Sequence, residues 1–258
     1  MPEYCKVERD GPILTVTLDR PEVLNALHPP ASAELEGVFD DFDADPDLWV
    51  AIITGAGERA FSAGNDLKVQ AATAKAVGPA PKGFAGLTSR FDSLKPLIAA
   101  VNGVAMGGGF EIALACDLIV ASEDAVFALS EPRVGTAAMA GGMHRLARQI
   151  PLKHAMGMLL TGRRVSAREG YELGFVNEVV PAGELMSAAR RWADQIVACA
   201  PLSVRAAKQC AMQGLEKGGV EGAMNARYEA LRAMLKSEDY IEGSRAFVEK
   251  RRPNWKGR

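Results

Sequence analysis

Hydrophobic and polar residues follow different periods along the chain, and the changes of period predict the order of its elements. Residues 13–18, ILTVTL, alternate in polarity and are rich in β-branched side chains, and residues 49–54, WVAIIT, form a short apolar run that ends at a glycine. Both patterns are typical of β-strands. Residues 31–43 predict an amphipathic helix, because their apolar side chains recur at the spacing of one helical face: Leu35, Val38, Phe39 and Phe42.

The longest apolar stretch, residues 97–116, approaches the length of a transmembrane helix. Its sequence, LIAAVNGVAMGGGFEIALAC, argues against that alternative. It contains Asn102 and Glu111, and each of its three adjacent glycines would weaken a lone helix by about 1 kcal/mol. We expect a buried strand over residues 97–101, then a glycine turn and a buried helix over residues 109–116.

Weaker signals complete the pattern. Short apolar runs at residues 118–121 and 126–129 predict two more strands, and the periodicity becomes helical from Gly141 nearly to the C-terminus. Residues 71–86 contain repeated glycine and proline, which predicts a mobile loop.

The order of these elements predicts two regions, a mixed α/β core over residues 1–199 and a C-terminal helical segment over residues 200–258. Apolar side chains in the second region recur every three or four residues. Such a face either packs within the chain or forms a subunit interface, and the spacing leaves both open. The positions are Met212, Leu215, Val220, Met224, Tyr228, Leu231, Met234 and Leu235.

Composition narrows the class of protein. With 258 residues, of which 48% are hydrophobic and 24% charged, the chain is expected to fold around a substantial core. Its net charge of -2 and dispersed cations argue against nucleic acid or an anionic membrane as a partner. The four cysteines lack CxxC spacing and the N-terminus lacks an apolar signal, which predicts a reduced, cytoplasmic protein without a structural metal.

Two glycine-containing turns are candidates for chemistry. Residues 105–111, AMGGGFE, lead into the expected helix, whose first amides have no partner within the helix, and glycine lets another carbonyl approach them closely. Residues 61–67, FSAGNDL, follow the strand at residues 49–54. Two backbone amides directed at one carbonyl oxygen form an oxyanion hole, whose loss typically slows a reaction on the order of 100-fold. Spacing alone does not show that the turns meet.

Glu111 and Glu131 are candidate proton donors and acceptors. Glu111 lies on the first turn of the expected helix, and Glu131 follows an expected strand, where Pro132 predicts an extended backbone. Each also has a structural explanation, Glu111 as an acid at a helix N-terminus and Glu131 as a solvated loop residue. Together they could divide the delivery and removal of a proton.

Three segments together resemble the enoyl-CoA hydratase/isomerase, or crotonase, superfamily: residues 61–67, 100–135 and 161–180. The resemblance runs over nearly the whole chain. It implies an α/β spiral of repeated ββα turns, with an acyl-CoA-binding catalytic core over residues 1–199 and a C-terminal helical trimerisation region over residues 200–258. It also implies a homotrimer or a hexamer of two trimers, and no cofactor beyond the CoA of the substrate.

The same resemblance implies roles for individual residues. The amides of Asn65 and Gly108 would form the oxyanion hole for an acyl-CoA thioester. Glu111 and Glu131 match the two catalytic glutamates of hydratases, so that in hydration Glu111 deprotonates water and Glu131 supplies the Cα proton. The implied substrate and CoA contacts are Ala63, Asn65, Asp66, Leu67, Lys68 and Gly108.

Within the superfamily, residues 51–68, the GFAGLT motif at residues 83–88 and the tail from Ser237 resemble carnitinyl-CoA dehydratases. A quaternary ammonium on such a substrate would need aromatic faces or a carboxylate, and Phe84 and Phe91 are candidates that also fit as packing residues. Two alternatives stay open. One is an enoyl-CoA isomerase that uses one glutamate, and the other is a noncatalytic relative that binds acyl-CoA or RNA.

One segment departs from the superfamily pattern. Residues 136–142, TAAMAGG, replace the Pro-Gly-Ala-Gly-Gly pattern common after the second glutamate, which predicts a differently shaped acyl pocket. His144 and His154 are expected to be ordinary helix residues, and Cys116 is expected to pack in the core.

Overall fold

The computed structural model of the chain describes residues 2–73 and 81–258. In these residues the chain forms ten strands: β1 (Cys5–Asp10), β2 (Ile13–Leu18), β3 (Val50–Gly55), β4 (Ala60–Ser62), β5 (Leu97–Val101), β6 (Val104–Met106), β7 (Leu118–Ser122), β8 (Val126–Ala128), β9 (Val165–Ser166) and β10 (Glu178–Val180). The same residues form eleven α-helices: α1 (Pro29–Ala44), α2 (Leu67–Thr73), α3 (Gly108–Ala115), α4 (Gly142–Gln149), α5 (Leu152–Thr161), α6 (Ala167–Leu173), α7 (Leu185–Val197), α8 (Pro201–Gly214), α9 (Val220–Met224), α10 (Glu229–Leu235) and α11 (Glu238–Val248).

The strands form two sheets. The larger sheet has six strands in the order β1-β2-β3-β5-β7-β10, and the smaller has the order β4-β6-β8-β9. In the larger sheet β1 and β2 are antiparallel, whereas the other neighbours are parallel. Every residue of β3 and β5 is buried. Both strands therefore have the continuous apolar sequence expected of a parallel sheet that is covered on both faces.

Side chains on the two faces of the larger sheet belong to two separate cores. Val16 and Ile53 pack in the larger core with side chains of the second sheet, such as Phe127. On the opposite face, Ile52 and Ile98 pack in a smaller core with residues of α7. Successive side chains along a strand point to opposite faces of the sheet, so neighbouring residues such as Ile52 and Ile53 belong to different cores.

The apolar patterns predicted the central elements. The strands expected over residues 13–18 and 97–101 are β2 and β5, and the helix expected over residues 31–43 lies within α1. The helix expected over residues 109–116 is α3, shifted by one residue. The apolar stretch at residues 97–116 is therefore not one helix, and it contains the short strand β6 as well.

Five strands were not predicted. β1 exposes five of its six residues, so it lacks an apolar alternation, and β4 and β6 are only three residues long. β9 and β10 interrupt the region expected to be helical. β10 pairs with the buried strand β7, so tertiary contact rather than local pattern determines it.

The prediction of a loop over residues 71–86 is partly wrong. α2 continues to Thr73, so the loop does not begin at residue 71. Phe84–Gly86 form a short 3-10 turn. Residues 74–80, which the prediction of mobility also covers, lie outside the described residues.

After residue 200 the regular elements are all helices, from α8 to α11. Of the apolar side chains predicted to form one face, Tyr228 is buried, but several others are exposed: Met212, Leu215, Val220, Met224 and Leu235. This exposure favours a subunit interface over packing within the chain. None of the helices in residues 2–73 and 81–258 combines the length and the apolar composition needed to cross a membrane.

The two glycine turns lie against each other. A Cβ added at Gly109 would lie 2.1 Å from the carbonyl oxygen of Ser62, and one added at Gly64 would lie 2.8 Å from the amide nitrogen of Gly108. Both clashes involve backbone atoms, which cannot rotate away. Glycine at these positions is therefore what allows β4 and α3 to approach.

We expect Gly109→Ala to destabilise the protein by about 2 kcal/mol or more, because the new methyl group would force the two turns apart. Gly37→Ala is the control. Gly37 is exposed in α1 and a Cβ there would meet nothing within 4 Å, so that alanine should raise stability by about 0.5 to 1 kcal/mol. Urea unfolding compares the two, and equal effects would contradict the proposed packing.

Candidate active site

The loop after β4 holds the first predicted oxyanion donor, the amide of Asn65. The Leu27 amide donates to the Gly64 carbonyl at 2.8 Å, and the Asp66 amide donates to the Leu27 carbonyl at 2.9 Å. These bonds fix the backbone on both sides of Asn65. No hydrogen bond found among the described residues uses the Asn65 amide, which leaves it for a ligand.

The second predicted donor, the amide of Gly108, begins α3. The first amides of a helix have no acceptor within it, and the described residues outside α3 provide none for Gly108. A Cβ at Gly64 would lie 2.8 Å from this nitrogen. The structure thus places both predicted donors on adjacent turns.

Asp66 anchors the loop. Its carboxylate pairs with Arg20 at 3.2 Å and accepts from the Val69 amide at 3.3 Å. Burial opposes ionisation, but these bonds hold the pKa of Asp66 below its ordinary value. The carboxylate therefore fixes the start of α2.

The other predicted substrate contacts surround Asn65. Ala63 is half-buried and its amide donates to the Leu24 carbonyl at 2.9 Å. The Asn65 side chain donates to Gln70. Leu67 and Lys68 are exposed on the first turn of α2. The Lys68 ammonium therefore lies at the surface, where it can meet a charged part of a ligand.

Glu111 is a buried carboxyl group on the first turn of α3. Only 3% of the residue is exposed, and its Oε1 accepts from the Gly142 amide at 2.8 Å. Burial raises its pKa to about 7, an effect to which the charge of Glu131 adds, whereas the Gly142 bond and the Arg145 charge oppose it. A carboxyl group with this pKa can take up and release a proton near neutral pH.

Glu131 is a second shielded carboxyl group. Its Oε2 is buried and has no hydrogen-bond partner among the described residues. Burial raises the pKa of Glu131. The prediction that Glu131 is extended before Pro132 is wrong. Glu131 begins a 3-10 turn, Glu131–Val134, after β8. Its carboxyl group is not the solvated loop acid of the structural explanation.

The glycine turn connects the two glutamates. Gly107 adopts φ +50°, and a Cβ there would lie 3.1 Å from Oε1 of Glu131. The Gly107 amide donates to the Ala128 carbonyl at 2.8 Å, while its carbonyl accepts from the Glu111 amide at 3.0 Å. One residue thus connects the end of β8, near Glu131, to the helix that carries Glu111.

Sequence reasoning missed two groups that act on Glu111. The first is the Gly142 amide, a backbone donor with no side chain to mark it. The second is Arg145, whose charge lowers the pKa of Glu111. Its guanidinium donates to the Thr88 carbonyl at 2.7 Å and to the Ala140 carbonyl at 3.4 Å. Gly142 and Arg145 lie in or after residues 136–142, the segment predicted to reshape the acyl pocket. That departure from the superfamily pattern was the available signal.

The remaining candidate residues lie outside this cluster of contacts. His144 and His154 are exposed on helices, and Cys116 is buried in the larger core, which raises the pKa of its thiol. Within residues 2–73 and 81–258, no three histidine, cysteine or acidic side chains are grouped as metal ligands.

Comparison with known proteins identifies the family. The sequence profile described as enoyl-CoA hydratase/isomerase matches residues 8–258. The chain belongs to the enoyl-CoA hydratase/isomerase family. The carnitinyl-CoA dehydratase of Salmonella typhi is 48% identical to it over 265 aligned positions, which cover 100% of both chains.

Solved structures of the family share the fold. The enoyl-CoA hydratase of Mycobacterium tuberculosis H37Rv superposes with a TM-score of 0.92 at 38% identity, covering 99% of each chain. The enoyl-CoA hydratase of Bacillus anthracis gives a TM-score of 0.89 at 32% identity, covering 99% of this chain and 100% of the other. The resemblance inferred from the three sequence segments and the α/β spiral that it implied are confirmed.

The burial of Glu111 makes stability depend on pH. Its pKa is about 7 in the folded protein against an ordinary 4.5. Between these values the folded state binds more protons than the unfolded chain. The free energy of unfolding therefore falls as the pH rises from 4.5 to about 7, and above the folded pKa Glu111 lowers it no further.

We therefore expect Glu111→Gln to be more stable than the wild type above pH 7, by about 3 kcal/mol at most. The amide keeps an oxygen for the Gly142 N–H. The pH-dependent part of this gain should disappear below the ordinary pKa of 4.5. Urea unfolding across this range measures it, with the exposed Glu123→Gln as control. If the difference in unfolding free energy between Glu111→Gln and the wild type does not change with pH, the raised pKa of Glu111 is contradicted.

Proposed function

We propose that the protein catalyses the reversible addition of water to a 2-enoyl-CoA thioester, giving a 3-hydroxyacyl-CoA. The proposal includes carnitinyl-CoA as the 3-hydroxyacyl substrate, in keeping with the name of the 48% identical relatives. The observation that carries it is the pair of shielded carboxyl groups on residues that one glycine turn connects, since addition of water needs one group to take a proton and another to supply one. Membership of the hydratase/isomerase family supports this hydro-lyase assignment.

In the proposed reaction the thioester carbonyl lies against the amides of Asn65 and Gly108. These donors stabilise the negative charge that develops on its oxygen when water attacks Cβ. The Glu111 carboxylate accepts a proton from that water, and the Glu131 carboxylic acid donates a proton to Cα. Dehydration reverses both transfers, so each carboxyl group acts once as acid and once as base.

Both carboxyl groups are shielded, and burial raises the pKa of each. The Gly142 amide and the Arg145 charge oppose this rise at Glu111 and so support its carboxylate form. Hydration needs Glu111 ionised and Glu131 protonated. A pKa of about 7 leaves a substantial part of Glu111 ionised at neutral pH.

The CoA moiety belongs to the substrate, and the proposed reaction uses no further cofactor. We place CoA along the loop from Ala63 to Lys68, where the backbone is fixed by Leu27 and Asp66. The exposed Lys68 is positioned to attract a phosphate of CoA.

The proposal extends to assembly. Residues 200–258 are proposed as a C-terminal helical oligomerisation region that follows the catalytic core of residues 1–199. The exposed apolar side chains of α8, α9 and α10 support a subunit contact. A homotrimer, or a hexamer of two trimers, would cover them.

Hydration is tested with crotonyl-CoA in water labelled with heavy oxygen. The wild type should produce labelled 3-hydroxyacyl-CoA. Glu111→Gln and Glu131→Gln should each lower turnover by roughly 100- to 10,000-fold, because each removes a proton-transfer group. Glu123→Gln, an exposed carboxylate on the surface, should have no effect.

The same experiment separates the alternatives. An isomerase would move a double bond without incorporating the label, and a noncatalytic relative would leave the substrate unchanged. Either result with folded wild-type protein would overturn the proposed function. Near-native activity of one glutamine variant would reject the role of that residue alone.

The oxyanion donor is tested at Gly108. Gly108→Pro removes the N–H at the first position of α3, where proline is compatible with a helix, and should abolish turnover. Gly108→Ala keeps the N–H while adding a Cβ beside Phe84, and should retain part of the activity. Circular dichroism checks the fold of both variants. A folded proline variant that stays active would contradict the assignment.

A further inference from the structure

Phe84 is held in an unusual backbone loop. Gly83, Ala85 and Gly86 all have positive φ, of +79°, +58° and +61° respectively. Ala85 is buried and adopts this conformation although it has a Cβ, which makes positive φ uncommon. The Phe84 amide donates to Oγ1 of Thr88 at 2.8 Å, and a Cβ at Gly86 would lie 2.2 Å from the Cα of Glu36. Backbone strain that the surroundings enforce is concentrated at functional sites, so the position of this ring calls for a function.

The ring of Phe84 borders the glycine turn. A Cβ added at Gly108 would lie 2.6 Å from its Cε1 and 3.0 Å from its Cδ1 and Cζ. A Cβ added at the preceding residue, Gly107, would lie 3.1 Å from Oε1 of Glu131. An aromatic ring and a carboxyl group with an unpartnered oxygen therefore flank two successive glycines.

Phe91, the other aromatic candidate for a cation, has a different environment. It is 77% exposed, and the guanidinium of Arg145 already lies 5.6 Å from the centre of its ring. A second cation on that ring would be repelled by Arg145. Of the two candidates in residues 83–91, Phe84 alone borders the proposed thioester site.

We propose that Phe84 is a specificity-determining residue for acyl-CoA substrates that carry a quaternary ammonium on the γ carbon, with its aromatic ring as the cation site. This inference rests on the proposed function. A quaternary ammonium cannot donate hydrogen bonds, so aromatic faces and carboxylates are the groups that bind it. Only three carbons separate its nitrogen from the carbonyl carbon, a short enough chain to reach a ring that borders the Gly108 donor.

The test compares two substrates of equal shape. One is crotonobetainyl-CoA, and the other is its uncharged carbon isostere, with a tert-butyl group in place of the trimethylammonium. Phe84→Leu should lower kcat/KM for the charged substrate by about 2- to 30-fold relative to the isostere. Phe84→Tyr keeps an aromatic ring and should retain the preference for the charged substrate over the isostere. Phe91→Leu should leave the ratio unchanged.

The outcomes separate this inference from the proposed function. If the wild type hydrates neither substrate nor crotonyl-CoA, the proposed function fails. If the wild type is active but prefers the isostere, or if Phe84→Leu lowers both kcat/KM values equally, the cation site is wrong and hydration stands. Because the ratio is measured on one protein sample, partial unfolding of a variant cancels out of it.

Discussion

The close approach of two backbones is the constraint on which the rest of the site depends. The carbonyl of Ser62 lies where a side chain on Gly109 would begin, and the amide of Gly108 lies where one on Gly64 would begin. Without this contact the turns that carry the amides of Asn65 and Gly108 would not lie next to each other. The glycine triplet that weakens a helix in isolation is therefore a requirement of tertiary packing.

The same turn brings both carboxyl groups into a shielded region. The Gly107 amide bonds the end of β8, near Glu131, and its carbonyl accepts from the Glu111 amide in α3. Burial raises both pKa values, and that of Glu111, the more deeply buried residue, rises to about 7. The Gly142 amide and the Arg145 charge oppose the rise at Glu111. The two glutamates therefore titrate in different environments although they are chemically identical side chains.

The sequence predicted those parts of the fold whose residues carry their own signal. β2 and β5 were predicted because burial on both faces leaves continuous or alternating apolar residues, and α1 because one of its faces is apolar. β1 is exposed and β10 is polar at Glu178, so only pairing with a neighbour makes them strands. Pattern reasoning has no access to that pairing.

In the candidate site, too, residue types could be predicted from the sequence, but their spatial arrangement could not. The glutamates and glycines stood out by residue type, but their meeting depends on the parallel pairing of β6 with β8, in which Val104 faces Val126 and Met106 faces Ala128. That register sets Gly107 beside the end of β8 and so beside Glu131. The Gly142 amide could not be predicted, because a backbone donor is identical at every residue other than proline. Arg145 could not be predicted either, because its partners are backbone carbonyls.

Arg145 also couples the acyl end of the site to its proton chemistry. Its guanidinium bonds the carbonyl of Thr88, whose hydroxyl holds the Phe84 amide, and the carbonyl of Ala140, two residues before the amide that bonds Glu111. A change in residues 83–88 would therefore move more than the pocket wall. Because Arg145 contacts both segments, such a change can be passed on to residues 140–142 and so to the Gly142 amide, one of the groups that lower the pKa of Glu111. The shape of the pocket and the pKa of Glu111 are therefore coupled through one half-buried guanidinium.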